Sequence, residues 1–259
     1  MKVINENISL EKSLSGLLKK YNVESRTDFQ LTHKDYSEGL LLIAGRQMID
    51  STNLENKIPL LIHRLKRKFI ELKKIVEEGT IENVSMFRFS CMGAKDIWDL
   101  KSLLYQELDL CEFIGGGKIN SFNAVFSENK AGNVILRLDN NILCSVEVSA
   151  QMPVGSYLTD RHEIIAQRGV ASDLVVDTMI PQSSIYGYVE SGRFEYRDVD
   201  MELFGLDELQ TDHVRAAFHV LNDPKVAEQW KLQHNRLVKI INKVFESDKE
   251  RKKVILNEQ

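Results

Sequence analysis

The chain has 259 residues, 43% hydrophobic and 28% charged, a composition able to bury one large core or two smaller ones. Its net charge of −4 gives no electrostatic pull toward nucleic acid or anionic membrane, so neither is expected as a partner. The longest apolar run, residues 40–44, is far short of the roughly 20 residues that cross a bilayer, and MKVINENISLEK has no apolar signal core, so a cytoplasmic location is expected.

Cys91, Cys111 and Cys144 lie in apolar surroundings and form no C-x-x-C pair; they read as small buried hydrophobes, with neither a disulfide framework nor a metal site implied. In chain order, a helix is expected over residues 10–21. The next runs over residues 60–79, where Ile62, Leu65, Phe69, Leu72 and Val76 recur at spacings of three and four and Gly79 supplies the stop. The basic run HRLKRKFIELKK reads as the wet face of that helix.

NVSMFRFSC then opens a strand-rich middle. A helix over residues 102–114 follows, apolar except for Gln106, Glu107 and Asp109, and after it come INSFNAVF, NVILRLD and NILCSVEVSA. In the last of these Ile142, Cys144, Val146 and Val148 alternate with Leu143, Ser145, Glu147 and Ser149, and the preceding Asp139, Asn140 and Asn141 mark a hairpin turn. Further strands are expected in RHEIIAQ and around residues 186–196. Helices over 206–221 and 226–245, split by NDP, close the chain.

This order implies an α+β fold: one large, mainly antiparallel or mixed sheet of six or more strands from residues 83–197, with helices packed on one face. Gly115, Gly116 and Gly117 follow a helix and precede a strand. A phosphate-binding loop needs the reverse order, so they read as a helix stop and turn.

Four segments in register, IELKKIVEEGTIENVSMFRFS, LYQELDLCEFIGGGKINSFNAVF, NVILRLDNNILCSVEVSAQMPVG with HEIIAQRGVASD, and AAFHVLNDPKVAEQWKLQHNRLVKIINKVFESDKERKKVIL, resemble the C-terminal substrate and oligomerisation domain of the Gfo/Idh/MocA oxidoreductases. In that family the helix facing the nicotinamide carries an aspartate, a histidine and a second aspartate. The resemblance lays these on Ser102, Gln106 and Asp109, so only Asp109 is kept. A glutamine amide hydrogen-bonds but does not titrate near neutral pH. Gln106 could hold a ligand and cannot act as general base. Glu107 lies one position further round the helix, about 100° away from Gln106.

The resemblance divides the chain into residues 1–58, a possible remnant of a dinucleotide-binding domain, and residues 59–259, the family-like α+β domain. No strand-Gly-helix start precedes the matching region, so no nucleotide cofactor is expected on this chain. ISLEKSL resembles the family's Glu-Lys-Pro segment, which would make Lys12 the counterpart of its catalytic lysine; the same residues also read as the exposed start of a helix.

Asp160 and His162 share a strand face and could form an acid-base pair or a structural hydrogen-bonded group. His213 and His219, six apart on a helix, make no metal site, and Ser247 reads as a helix-end feature. Asp109 and Lys12 are thus the catalytic candidates, and Gln106, Asp109 and His162 the ligand-binding ones. The overall expectation is an oxidoreductase-like protein with a degenerate site, binding a sugar-like small molecule or assembling with partners. Its alternative is one subunit of a split NAD(P)-dependent sugar or polyol dehydrogenase whose Rossmann domain is on a separate chain. Tyr186, Tyr188, Phe194 and Tyr196 suggest a homodimer formed through the open sheet face.

Overall fold

The computed structural model describes residues 2–4, 30–32, 41–51, 54–173, 184–197 and 208–256. The chain divides into two compact units, residues 1–66 with 199–236, and residues 67–198 with 237–259. The first therefore extends past residue 58 and takes in a stretch from late in the chain.

In the first unit, β1 (Lys2–Ile4), β2 (Gln30–Thr32), β3 (Leu41–Ala44) and β4 (Lys57–Leu60) form a parallel sheet in the order β2-β1-β3-β4. This sheet was not expected from the sequence. Strands as short as KVI and QLT show no measurable alternation, and parallel strands covered on both sides lose the period-two signal. Leu42, Ala44, Ile58, Leu60, Leu61 and Ile62 are buried in this unit. Helix α3 (Glu208–Asn222) packs on the 3-10 turn Ile62–Leu65 and on β4, burying Val214, Ala216, Ala217 and Val220. The expected helix over residues 10–21 lies outside the described residues.

The second unit carries a nine-stranded mixed sheet, confirming the α+β class. Its strands are β5 (Val84–Ala94), β6 (Ile119–Ser127), β7 (Ala131–Leu138), β8 (Leu143–Met152), β9 (Thr159–Ala166), β10 (Gly169–Ser172), β11 (Ser184–Val189), β12 (Gly192–Arg197) and β13 (Val254–Ile255). The order is β12-β11-β10-β9-β5-β8-β7-β6-β13, and among these neighbours only β5 and β8 run parallel. Ile142, Cys144, Val146 and Val148 are buried and their alternates are not, as the period of two requires. Asn141 turns the β7–β8 hairpin with φ 71°.

Helix α1 (Arg67–Glu77) follows the 3-10 turn, so the expected helix over 60–79 is two elements. Helix α2 (Leu100–Gly115) packs on β5, β7, β8 and α1. Asp99 caps its start by accepting from the Ser102 amide at 2.7 Å. Gly116 ends it in the left-handed conformation, φ 68°, with its amide donating to Glu112 O, so the glycine cluster is the stop and turn expected of it.

Helix α4 (Pro224–Glu250) closes the exposed edge of β6: Ser247 Oγ accepts from the Ala124 amide at 3.2 Å and donates to Lys252 O at 2.6 Å. Asp248 Oδ1 accepts from the Phe126 amide at 2.7 Å, and β13 pairs with Ser121 and Phe122. Side chains and a two-residue strand thus occupy amides that would otherwise template further strand pairing.

Candidate functional site: a buried ionic network beneath the sheet

Helix α2 is apolar on nearly every side because it is held between the sheet and α1; of its residues Leu103, Leu104, Tyr105, Leu108, Leu110 and Cys111 are completely buried. Gln106, Glu107 and Asp109 are buried with them, at 5%, 0% and 0% exposure, so none sits on a solvated helix edge. Burying carboxylates at this depth is costly unless charged partners meet them.

The partner of Glu107 is His162, itself completely buried on β9, whose Nε2 donates to Glu107 Oε2 at 3.0 Å. Its Nδ1 donates to Asp173 Oδ2 at 2.8 Å, and its backbone amide donates to Asp173 Oδ1. Lys68 on α1 donates from Nζ to Asp173 Oδ2 at 3.0 Å and to Asp160 Oδ1 at 2.6 Å. Gln106 Nε2 donates to Glu107 Oε1 at 3.1 Å and lies 3.8 Å from Cys91 Sγ. One polar chain therefore runs Asp160–Lys68–Asp173–His162–Glu107–Gln106 through an apolar interior. Phe69 and Phe89 stand edge-on to the imidazole, with centroids at 4.6 and 4.7 Å.

Burial alone would push His162 toward the neutral form. The carboxylates of Asp173 and Glu107, both in hydrogen-bond contact, outweigh it and raise the pKa from 6.5 to about 9. For Asp173 burial works upward, but the Lys68 and His162 cations win and the carboxyl titrates below its usual range. At neutral pH His162 is an imidazolium donating through both nitrogens. It has no lone pair to accept a proton and is itself completely buried, so the arrangement serves as an ionic brace tying α1, α2 and β9 together.

The structure thus places Gln106 and His162, expected as ligand-binding residues, within this network. Asp109 is buried on the same helix, and Lys12 lies outside the described residues. Asp160 and His162 do not bond each other; Lys68 and Asp173 stand between them. His213 is buried, with Nδ1 2.8 Å from Leu209 O, and exposed His219 tilts against Trp230.

Lys68 and Asp173 were not singled out from the sequence, and only the pairing of Asp173 with His162 follows from strand register. Gly169 pairs with Ala166 and Ser172 with Glu163 across a tight hairpin, and the same register carried one step on sets Asp173 opposite His162. Among the described residues no group of three His, Cys, Asp or Glu side chains is arranged to hold a metal ion, and no helix is long and apolar enough to cross a membrane.

No family model and no curated protein matches the sequence. Solved structures do match over nearly the whole chain. An oxidoreductase from Agrobacterium radiobacter in complex with NAD+, L-tartaric acid and magnesium aligns at TM-score 0.68 and 11% identity, covering 98% of this chain and 97% of that one. Levoglucosan dehydrogenase in complex with NADH and levoglucosan aligns at TM-score 0.63 and 14% identity, covering 98% and 90%. The transcriptional regulator Gal80p from Kluyveromyces lactis aligns at TM-score 0.65 and 13% identity, covering 98% and 85%. The fold is that of this group of oxidoreductases, and it is a fold that a transcriptional regulator also carries.

Proposed function

We propose that this chain is a Gfo/Idh/MocA-type protein without redox turnover, a ligand-binding or assembly protein for sugar-like metabolites that holds no nucleotide of its own. The observation that carries the reading is the fate of α2. The position matching the family's proton-transfer histidine is Gln106, which cannot titrate, and its amide is committed to Glu107 inside the buried network. The parallel sheet supports the same reading. Its strand order reverses direction around β1, the place where such sheets bind nucleotides, yet the residues after Ile4, NENISL, contain no glycine to let a pyrophosphate approach the backbone. That Gal80p, a transcriptional regulator, shares the fold is consistent with a non-enzymatic role.

Calorimetric titration with NAD and with NADP is expected to give no measurable heat of binding. A dissociation constant below about 100 μM, roughly 5.5 kcal/mol of binding, would overturn this reading.

A second reading is favoured by the likeness to enzymes holding NAD+ or NADH. There the chain is one subunit of a split NAD(P)-dependent sugar or polyol dehydrogenase, with Asp109 and Lys12 at a composite site and the Rossmann domain on another chain. Hydride transfer that appears only on mixing with a separate strand-GxGxxG-helix protein, followed as NADH absorbance, distinguishes the two.

In both readings the open sheet face serves homo-oligomerisation through its β11–β12 end, where the aromatic residues lie. Ile185 and Gly187 are buried, and Phe194 sits opposite Gly187, where a Cβ would overlap its ring; Phe194 therefore belongs to the covered side. Tyr188 is exposed, with the Arg193 guanidinium 6.0 Å from its ring centroid. The side chains of Tyr186 and Tyr196 lie outside the described residues. Light scattering at micromolar concentration is expected to give twice the 29.7 kDa chain mass, and Tyr188→Asp to return the single-chain value with the fold unchanged. A wild-type monomer would remove the basis for this interface.

A further inference from the structure

A groove of about 240 Å³ opens on the solvent side of the nine-stranded sheet, at the edge opposite Tyr188. It is lined by Ser121 and Asn123 of β6, Ile135 and Arg137 of β7, Leu143 of β8, and Lys253 in the link from α4 to β13. Cross-strand register explains why these residues meet. Arg137 stands opposite Ser121 on one side and Leu143 on the other, Ile135 stands opposite Asn123, and Lys253 adjoins Val254, the partner of Phe122.

Arg137 and Lys253 are exposed, and neither forms an ion pair with a described residue. The nearby acids are committed elsewhere or further off: Asp248 Oδ1 accepts from the Phe126 amide, Asp139 Oδ1 accepts from the Lys118 amide, and Glu147 is opposite Asn133, beyond Ser145. A chain of net charge −4 thus concentrates cations over an apolar floor. A guanidinium fork and an ammonium call for an oxyanion, Ile135 and Leu143 call for hydrocarbon, and the Ser121 hydroxyl and Asn123 amide offer further donors. The volume lies below the about 300–1,000 Å³ of drug-sized sites, which limits the occupant to a short molecule.

We propose that this groove binds a small organic anion, a carboxylate or phosphate monoester on a short apolar body. The site is independent of the buried network, because it lies on the other face of the sheet. The test follows amide chemical shifts of the full chain during titration with hexanoate, hexyl phosphate and the neutral hexanamide. Saturable binding of one or both anions in roughly the millimolar range is expected, with shifts at residues 121–123, 135–137 and 253 and with hexanamide at least about tenfold weaker. Arg137→Gln and Lys253→Gln should each weaken the anion about tenfold, while Arg168→Gln, an exposed arginine elsewhere, should leave it unchanged. Lys253→Gln alters only a surface side chain, so it reads out binding even where Arg137→Gln perturbs β7. Preference for one headgroup identifies the anion class. Equal binding of hexanamide, no effect of either lining variant, or no saturation by about 10 mM overturns the proposal.

Discussion

Replacing His162 with leucine is expected to destabilise the second unit by about 3–5 kcal/mol, read as a drop in the urea midpoint, because it strips a cation from between two buried carboxylates. Asp173 keeps Lys68 at 3.0 Å, but Glu107 retains only the Gln106 amide, and a carboxylate at 0% exposure cannot recover its hydration. Removing both ends of the broken pair should help: His162→Leu with Glu107→Leu is expected to recover about 1–3 kcal/mol of the loss, since apolar residues of similar volume suit the space between Phe69, Phe89 and α2. The double variant is therefore less destabilised than the sum of the two single variants, a non-zero coupling in the double-mutant cycle. A single-variant loss under about 1 kcal/mol would mean that the imidazolium is not a brace.

The large sheet was legible because five of its strands, β5 to β9, are long enough to carry alternation and because turn residues such as Asn141 and Gly116 bracket them. The short strands β10 and β13 were missed. The parallel sheet was missed for the same reason, its strands being three or four residues long. The site was only half legible. Gln106 and His162 stood out as polar residues in apolar surroundings, and reading Gln106 by the 100° helical rotation suggested that Glu107 points elsewhere. In the structure α2 is enclosed all round, so Glu107 meets a buried partner, His162, in that other direction. Lys68 looked like one more cation on a wet face. Its four-carbon stem instead carries the ammonium inward to two carboxylates brought together by strand register, a coincidence of residues 68, 160 and 173 that no local pattern records.

The network also dictates how stability responds to pH. The folded pKa of His162, about 9, lies above its unfolded value of 6.5, so folding binds a proton. The stabilisation is fully present below pH 6.5 and is lost as pH rises through 9, a decline of about 3 kcal/mol. On the acid side the signs reverse. Asp173 is depressed, so its contribution holds above its ordinary 3.8 and is lost as pH falls below it. His234, in the first unit, is pushed down to about 4 by burial, against a hydrogen bond it donates to the Met48 backbone carbonyl; its contribution is present above 6.5 and lost as pH falls toward 4. Burial and the neighbouring Cys144 raise the Cys111 thiol, which adds to the alkaline loss only above about 9, where an unfolded thiol ionises. The interval from about pH 6.5 to 9 thus isolates His162 among these groups. Urea unfolding across that interval is expected to show stability falling steadily in the native sequence and to be nearly flat in His162→Leu, and an unchanged slope in the variant would assign the decline to some other group.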